Sequence, residues 1–336
     1  MEYKDILGNV GRAIHQAESI SIITHIRPDG DAIGSLIGLG LSLQELGKKV
    51  QMISEDGVPR NLKFLAEDLN IVHSEKEVLH LSIVLDCSEI DRTGSVLTKQ
   101  PDINIDHHVT NSEFAKINLV EVESAATCEI LAKYMQAWHL PITSRAANAL
   151  LTGLVTDTIG FRTTSVTPVT LRTAAMLVEQ GANLANIYQF SLDGRTYEAA
   201  RFWGAGLNHL QQEDGLVWTV LSMDDRRSTG YPGNDDADLV NMLSTIESAR
   251  IAVIFVEQPD GSVKISWRAQ PEWDVSAIAL KFGGGGHAAA SGAIIRDQKP
   301  METVIDQVLD ATKELLWRKI IHEKSGEKSL QNGDTE

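Results

Sequence analysis

The chain has 336 residues, 43% hydrophobic and 23% charged, which fits a globular protein of one large or two ordinary domains and excludes a fibrous or disordered one. Its 46 acidic residues against 30 basic ones give a net charge of −16, which argues against tight binding of long duplex nucleic acid, because that rests on a basic footprint. The two cysteines, Cys87 and Cys128, have no CxxC spacing and build no disulfide framework, so each is read as a small core residue.

The amino-terminal run MEYKDILGNVGRAIHQ has the spacing of an amphipathic helix and lacks the apolar core of a secretion signal. From there β and α signals alternate: residues 19–24 predict a strand, 32–46 a helix, and 49–54, 81–86 and 102–106 further strands. Such alternation points to a parallel sheet with helices on both faces. The longest uncharged apolar run, 32–43, falls short of the roughly 20 residues that a bilayer span needs. No membrane anchor is expected, and the cytoplasm is the expected location. From residue 124 the pattern turns helical, over 125–139, 144–158 and 168–180, with Pro141 and Gly181 as breaks. A helix or linker near 193–210 leads to strands at 216–222, 250–257 and 262–268, a helix at 275–282, a glycine loop at 283–286, a strand near Ala293 and a last helix over 301–321. The expected architecture is α/β: a parallel-sheet domain at 1–190, a helical linker at 191–207, a smaller α/β domain at 208–322 with a cleft between the two, and a disordered polar tail at 323–336.

Three of the predicted strands end in metal-ligand residue types. His25 and Asp29 follow the first strand, Asp86 closes 81–86 and Asp106 closes 102–106. In open α/β sheets ligands bind beyond the carboxyl ends of the strands, so residues far apart in sequence can converge there. In HIRPDGDAIGS, Pro28 stiffens the turn and Gly30 lets the backbone fold between Asp29 and Asp31. Asp31 alone reads as a helix cap and Asp86 alone as a turn starter; the group reads differently. Asp106, His107 and His108 put three ligand-capable side chains on one loop, and Asp157 in TDTIGFR joins them if the helices pack as predicted. A mixed imidazole and carboxylate set without cysteine suits Mn²⁺ better than Mg²⁺. So many ligands exceed what one ion takes from protein, so two ions about 3.5–4 Å apart sharing a carboxylate are expected.

The segments HIRPDGDAIGS, LDCSE, DHH and TDT, in this order and at these intervals, resemble the four motifs of the DHH phosphoesterase family, which includes the RecJ nucleases and the manganese pyrophosphatases. The resemblance implies His25 and Asp29 on one metal, Asp31, His107 and Asp157 on the other, and Asp86 bridging the two. It further implies that His108 faces the substrate as a catalytic group beside Asp86, and that Asp106 orients its neighbouring histidines.

The string GGGGHAAASG at 283–292 follows a helix and not a strand, which excludes a P-loop. Arg268, at the end of a strand, offers a planar fork to a phosphate or is a plain surface arginine. These segments resemble the carboxy-terminal domain of the nanoRNases, the bifunctional oligoribonucleases and pAp phosphatases. That resemblance covers roughly residues 5–320 and implies that Arg268, Gly285, Gly286 and His287 hold substrate phosphates. Ala269 stands where the pattern has serine, and Ser291 where it has alanine, which leaves substrate preference open. The implied activity is manganese-dependent hydrolysis of short oligoribonucleotides to 5′-mononucleotides and of pAp to AMP. The alternatives are a cyclic-di-AMP or pApA phosphodiesterase on the same scaffold and, from another class, a non-catalytic nucleotide sensor. Partners are expected to be short RNA or small nucleotides, and a homodimer is left open.

Overall fold

The computed structural model describes residues 3–97, 99–296 and 299–331. They belong to two compact units, Met1–Gly194 and Arg195–Glu336. Among the described residues, no helix is long and apolar enough to cross a membrane.

In the first unit, α1 (Tyr3–Gln16) leads into β1 (Ser19–Ile23), α2 (Gly30–Glu45), β2 (Lys49–Ile53), β3 (Ile71–Val72), β4 (Leu81–Leu85), β5 (Ile103–Asp106) and β6 (Ile117–Val120). Then come α3 (Thr127–Met135), α4 (Ser144–Asp157), α5 (Pro168–Glu179) and α6 (Leu184–Ile187). The strands form one sheet in the order β3-β2-β1-β4-β5-β6, parallel throughout. Every residue of β4 is buried, as the near-continuous apolar sequence of a central parallel strand requires. Strand order reverses between β1 and β4, which is where an open parallel sheet leaves a crevice for a ligand.

On one face, Ile20, Ile22, Ile83, Leu85, Ile103 and Ile105 pack in a single large core with side chains from α1 to α5. On the other, Ile23, Ile53 and Val84 make a small cluster with Val72, Cys87 and Val96, to which no α-helix among the described residues contributes. Helices therefore cover one face, not both as the β/α alternation predicts. The crossovers after β2 and β4 hold only the 3₁₀ turns Arg60–Leu65 and Ile90–Thr93. Ser21, Ser82 and Asn104 alternate with the apolar residues there and leave too little apolar surface to seat a helix.

Two glycines set how closely α2 and α4 cross. A Cβ on Gly34 would lie 2.5 Å from the Ala149 carbonyl oxygen, and one on Gly153 would lie 2.8 Å from Asp31 Oδ1. Only bare backbone permits this approach, which brings the last residue of α4, Asp157, to the first turn of α2.

In the second unit α7 (Tyr197–Asn208) is followed by β7 (Gln211–Glu213), β8 (Leu216–Leu221), α8 (Met223–Thr229), α9 (Leu239–Leu243), β9 (Ile251–Glu257), β10 (Val263–Ala269), α10 (Ser276–Lys281), β11 (Gly285–His287), β12 (Ala290–Ile295) and α11 (Met301–Gln331). The sheet runs β11-β12-β10-β9-β8-β7; β8 and β9 pair parallel and the other neighbours antiparallel. One face packs on α10 and α11 through Phe255, Ile265 and Trp267, the other on α7 and α9 through Ala252, Ile254 and Val256.

Three expectations change here. Most of the segment expected as a helical linker, 191–207, is helical but belongs to α7, which buries Ala199 and Phe202 in the core of the second unit. The expected glycine loop is in its second half an edge strand, because Gly285 to His287 pair with Ala290 to Gly292. The last helix does not stop at residue 321, since a run rich in Glu and Lys favours helix; residues 323–331 are helical where a disordered tail is expected, and 332–336 lie outside the described residues.

Candidate metal centre

Strand register alone builds the centre of the site. β1 pairs with β4 so that Ile23 faces Val84, and β4 pairs with β5 so that Leu85 faces Ile105. Carried past the strand ends, the same offsets set His25, Asp86 and Asp106 in one row across three neighbouring strands. Asp86 N donates to the Ile105 carbonyl at 3.0 Å, which continues the ladder by one residue. Asp86 then turns into the left-handed region at φ 56°. That conformation costs a non-glycine residue on the order of 1–3 kcal/mol and is least unfavourable for Asp and Asn. The carboxylate is buried, and Thr127 Oγ1 donates to its Oδ1 at 3.1 Å.

Around this row the helix termini supply the remaining carboxylates. Asp29 is the N-cap of α2: its Oδ1 accepts from the backbone N–H groups of Asp31 and Ala32, both at 3.1 Å. The capping expected of Asp31 thus belongs to Asp29. Asp31 is fully enclosed and its two oxygens accept from Thr127 N at 2.6 Å and Cys128 N at 2.9 Å, in the first turn of α3. A helix N-terminus favours a carboxylate by its unpaired N–H groups and dipole. Asp157, at the carboxyl end of α4, is one-third exposed.

The three histidines have defined hydrogen-bond partners. His107 Nδ1 is 3.3 Å from the Ser124 carbonyl oxygen, an acceptor only, so Nδ1 carries the proton and Nε2 keeps its lone pair. That Nε2 lies 3.9 Å from Asp31, 3.7 Å from Asp86 and 3.6 Å from Asp157. His108 Nδ1 donates to Asp106 Oδ1 at 2.7 Å. Asp106 also accepts from His107 N and, on its other oxygen, from Asn111 Nδ2 at 2.6 Å. His25 Nε2 lies 3.4 Å from Asp86 and 4.0 Å from Asp29. Its Nδ1 meets both the Ile26 carbonyl at 2.9 Å and Arg92 Nη2 at 3.1 Å, an acceptor and a donor that one nitrogen cannot serve together. A lone pair on Nε2 requires the Ile26 bond, and Arg92 is then released from the imidazole.

Three ligand-type clusters result: His25, Asp29 and Asp86; Asp31, His107 and Asp157; and Asp86, His107 and His108. Asp86 stands in two of them. The donor atoms are imidazole nitrogens and carboxylate oxygens, within 4.8 Å of one another in each cluster, which is compatible with divalent first-row ions. Electrostatics agrees with this fit. Burial, together with the carboxylates of Asp86 and Asp157, pushes Asp31 well above the usual range, and burial together with Asp86 and Asp29 takes Asp157 up to about 6 despite the nearby imidazoles. Burial would also raise Asp86, but the bond from His25 and the charges of His107 and His108 outweigh it and hold that group at about 2. The bond to Asp106 lifts His108 to about 9. Packed carboxylates that resist ionisation are a site short of positive charge.

All sequence-predicted ligands of the first unit therefore lie together. Thr127, Asn111 and Arg92 carry no site signal in the sequence, and Cys128 reads there only as a core residue. Thr127 and Cys128 act through backbone N–H groups, which any residue type supplies, and Thr127 also through its hydroxyl; the sequence signal common to both is a helix start, two residues later than predicted. In the second unit, Arg268 and His287 stand in one row: Arg268 pairs with Ala290, and Ala290 with His287, so all three point to one sheet face. Arg268 Nε donates to Asn241 Oδ1 at 2.9 Å and Nη1 to the Trp267 carbonyl at 3.0 Å. Gly286 takes φ 139°, and a Cβ there would lie 2.5 Å from the Ala290 carbonyl oxygen. Of the two departures from the expected motif, Ser291 bonds through Oγ to the His287 carbonyl at 2.7 Å, and Ala269 contributes its backbone N–H to the Ala289 carbonyl at 2.9 Å.

Comparison with known proteins follows this division. The profile of the DHH family, N-terminal domain, matches residues 19–154, and that of the DHHA1 domain matches 218–318. The bifunctional oligoribonuclease and PAP phosphatase NrnA of Thermus thermophilus is 31% identical over 313 residues, 89% of this chain and 90% of that protein. Its namesake from Bacillus subtilis is 26% identical over 90% of this chain and 97% of its own. Among solved structures, an exopolyphosphatase-related protein from Bacteroides fragilis shares the fold with a TM-score of 0.83 at 23% identity, over 94% of this chain and 96% of that one. Exonuclease RecJ bound to manganese aligns with a TM-score of 0.53 at 13% identity, over 95% of each chain. The chain belongs to the DHH family of metal-dependent phosphoesterases, with the DHH and DHHA1 domains in its two units.

Proposed function

We propose that the chain is a manganese-dependent phosphodiesterase and phosphatase of the cytoplasm that hydrolyses short oligoribonucleotides to 5′-mononucleotides and pAp to AMP. The observation that carries this reading is the joint presence of the Asp86-centred clusters and the Arg268–His287 row on a chain that spans 90% of a relative named for both activities. His25, Asp29 and Asp86 would hold one ion, and Asp31, His107, Asp157 and Asp86 the other. Two such ions, when bound, make water a nucleophile at neutral pH and neutralise charge on the phosphoryl oxygens. The manganese in RecJ and the mixed nitrogen and oxygen donor set support Mn²⁺.

The remaining roles fall to the side chains themselves. Asp106 fixes the orientation of His108 through the bond to Nδ1 and keeps it protonated, so the imidazolium presents its other N–H to a phosphoryl or leaving-group oxygen. Arg268, held by Asn241 and the Trp267 carbonyl, keeps N–H groups of its fork free for a phosphate, and His287 stands beside it on the sheet. The test is a substrate panel with Mn²⁺ and with EDTA: labelled RNA of two to five nucleotides, pAp, pApA and cyclic-di-AMP. Metal-dependent release of mononucleotides from RNA and of AMP from pAp is expected. Turnover of cyclic-di-AMP or pApA alone would replace this reading by the dinucleotide phosphodiesterase, and binding without any turnover would leave a sensor.

A further inference from the structure

Beyond Arg268 the face of β10 goes on. The strand alternates buried Val263, Ile265 and Trp267 with half-buried Lys264, Ser266 and Arg268. At a rise of about 3.3 Å per residue, Ser266 stands about 7 Å and Lys264 about 13 Å along the strand from Arg268 on the same side. Register sets Ser266 opposite Gly292 and Lys264 opposite Ile294, and Gly292 opposite Gly285. A groove of about 360 Å³ lies along this stretch, lined by Lys264, Ser266, Gly284, Gly292 and Arg296. Arg268 is not part of its lining, so the groove begins past the arginine.

The chemistry of the groove is unlike that of the chain around it. In a protein of net charge −16 it carries two cations. Among the described residues no hydrogen bond or ion pair engages the side chains of Lys264, Ser266 or Arg296. Among the described residues, buried Asp236 lies within electrostatic range of Lys264 and accepts from Val240 N at 2.9 Å, and Asp260 lies within range of Arg296 and accepts from Ser262 N at 3.0 Å, without an ion pair to either cation. Part of the wall is bare backbone: Gly284 closes against β12, where a Cβ would lie 2.1 Å from the Gly292 carbonyl oxygen, and Gly292 stands opposite Ser266 without a side chain. The volume is at the lower end of the about 300–1,000 Å³ usual for small-molecule sites, more than a lone phosphate needs and suited to a nucleotide.

We propose that this groove is a further nucleotide subsite, in which Lys264 and Arg296 hold a phosphodiester of an oligonucleotide beyond the phosphate taken by Arg268 and His287, with Ser266 as an added donor. The proposal rests on the oligoribonuclease reading and adds to it that length is read along the second unit. pAp is too short to reach the groove, whereas a pentaribonucleotide occupies it.

The experiment uses the full chain with Lys264→Gln and Arg296→Gln, singly and together, each checked for an unchanged thermal transition. For the double variant, KM for a pentaribonucleotide rises about tenfold, kcat stays level, and KM for pAp stays within about twofold. Anisotropy of a labelled pentaribonucleotide in EDTA gives a readout free of turnover. There the slope of log affinity against log salt falls by about 1.4, the release expected for two single-strand phosphate contacts. Equal weakening toward pAp and the pentamer, or no change in either, overturns the subsite. If the wild type turns over no RNA yet the double variant loses salt-dependent pentamer binding, the hydrolase reading falls and the groove stands.

Discussion

In the first unit the row of candidate site residues leaves the carboxyl ends of β1, β4 and β5; in the second the candidate substrate-binding residues stand on one face of β10 and β11. Both regions are rows drawn by strand register, but they differ in how far each member is held. Asp31, Asp86 and Asp106 are buried, and each carboxylate accepts hydrogen bonds from backbone or side-chain donors nearby. His287 is exposed on an edge strand, and among the described residues Arg268 has hydrogen bonds only to Asn241 and one carbonyl to fix it. The difference fits a division of labour. Groups that must meet a metal within tenths of an ångström are locked by packing, whereas groups that grip a flexible nucleotide can remain open.

The sharpest break of this comparison is at its most locked point. Asp86→Asn retains shape but removes the charge shared by two ligand clusters, and hydrolysis with Mn²⁺ is expected to fall on the order of 10³-fold, with the fold retained by circular dichroism. Asparagine also tolerates the left-handed φ of 56°, so loss of activity cannot be blamed on the backbone. Activity within tenfold of wild type would remove Asp86 from the bridging position.

One step out from the ligands the expected effect is smaller. Asp106→Asn leaves His107 and His108 in place and keeps an acceptor for His108 Nδ1 but removes the negative charge that makes this bond favour the imidazolium, so kcat falls about 10- to 100-fold. The pH dependence supplies the independent readout. In the metal-free wild type the imidazolium persists up to about 9, and bound cations nearby lower that value, so a limb that needs it fails as pH rises through a midpoint below about 9. In the variant the same limb moves to lower pH, and an NMR titration of the metal-free protein reports the shift directly. An unmoved midpoint would mean that Asp106 only braces the loop.

How much of this contrast is legible in the sequence follows from the same physics. Apolar runs that stop at Asp or His mark strand ends, so His25, Asp86 and Asp106 can be placed side by side before any register is known. Asp157 requires a prediction of helix packing, and the glycines at 34 and 153 that bring α4 onto α2 look like ordinary helix residues in sequence. Backbone donors at Thr127 and Cys128 leave no side-chain signature at all. The bare strand face was hidden for a related reason: a helix on both sides is the common outcome of β/α alternation, and only the polar Ser21, Ser82 and Asn104 speak against it. In the second unit GGGGH reads as a loop, because glycine weakens a strand signal, whereas its pairing with β12 is a tertiary event.

On the open side, Asn241→Ala probes what little fixes Arg268. The bond from Nε is worth about 1 kcal/mol, so KM for pAp and short RNA is expected to rise about fivefold with kcat unchanged. A fall in kcat at constant KM would show that Arg268 acts at the reacting phosphate and not in binding alone.

The smallest effect is expected at Ser291, where this chain departs from the motif. Its Oγ ties the His287 carbonyl across the β11–β12 hairpin at 2.7 Å, so the departure acts on the hairpin that presents His287 and not on a ligand directly. Ser291→Ala should lower stability by about 1 kcal/mol or less, seen as a small drop in Tm, and change KM by about twofold at most. The imidazole loses no partner of its own by the exchange. A much larger rise in KM, with Tm unchanged, would mean that the serine hydroxyl contacts substrate. The open row would then be as specifically built as the buried one, and the contrast between the two units would narrow to burial alone.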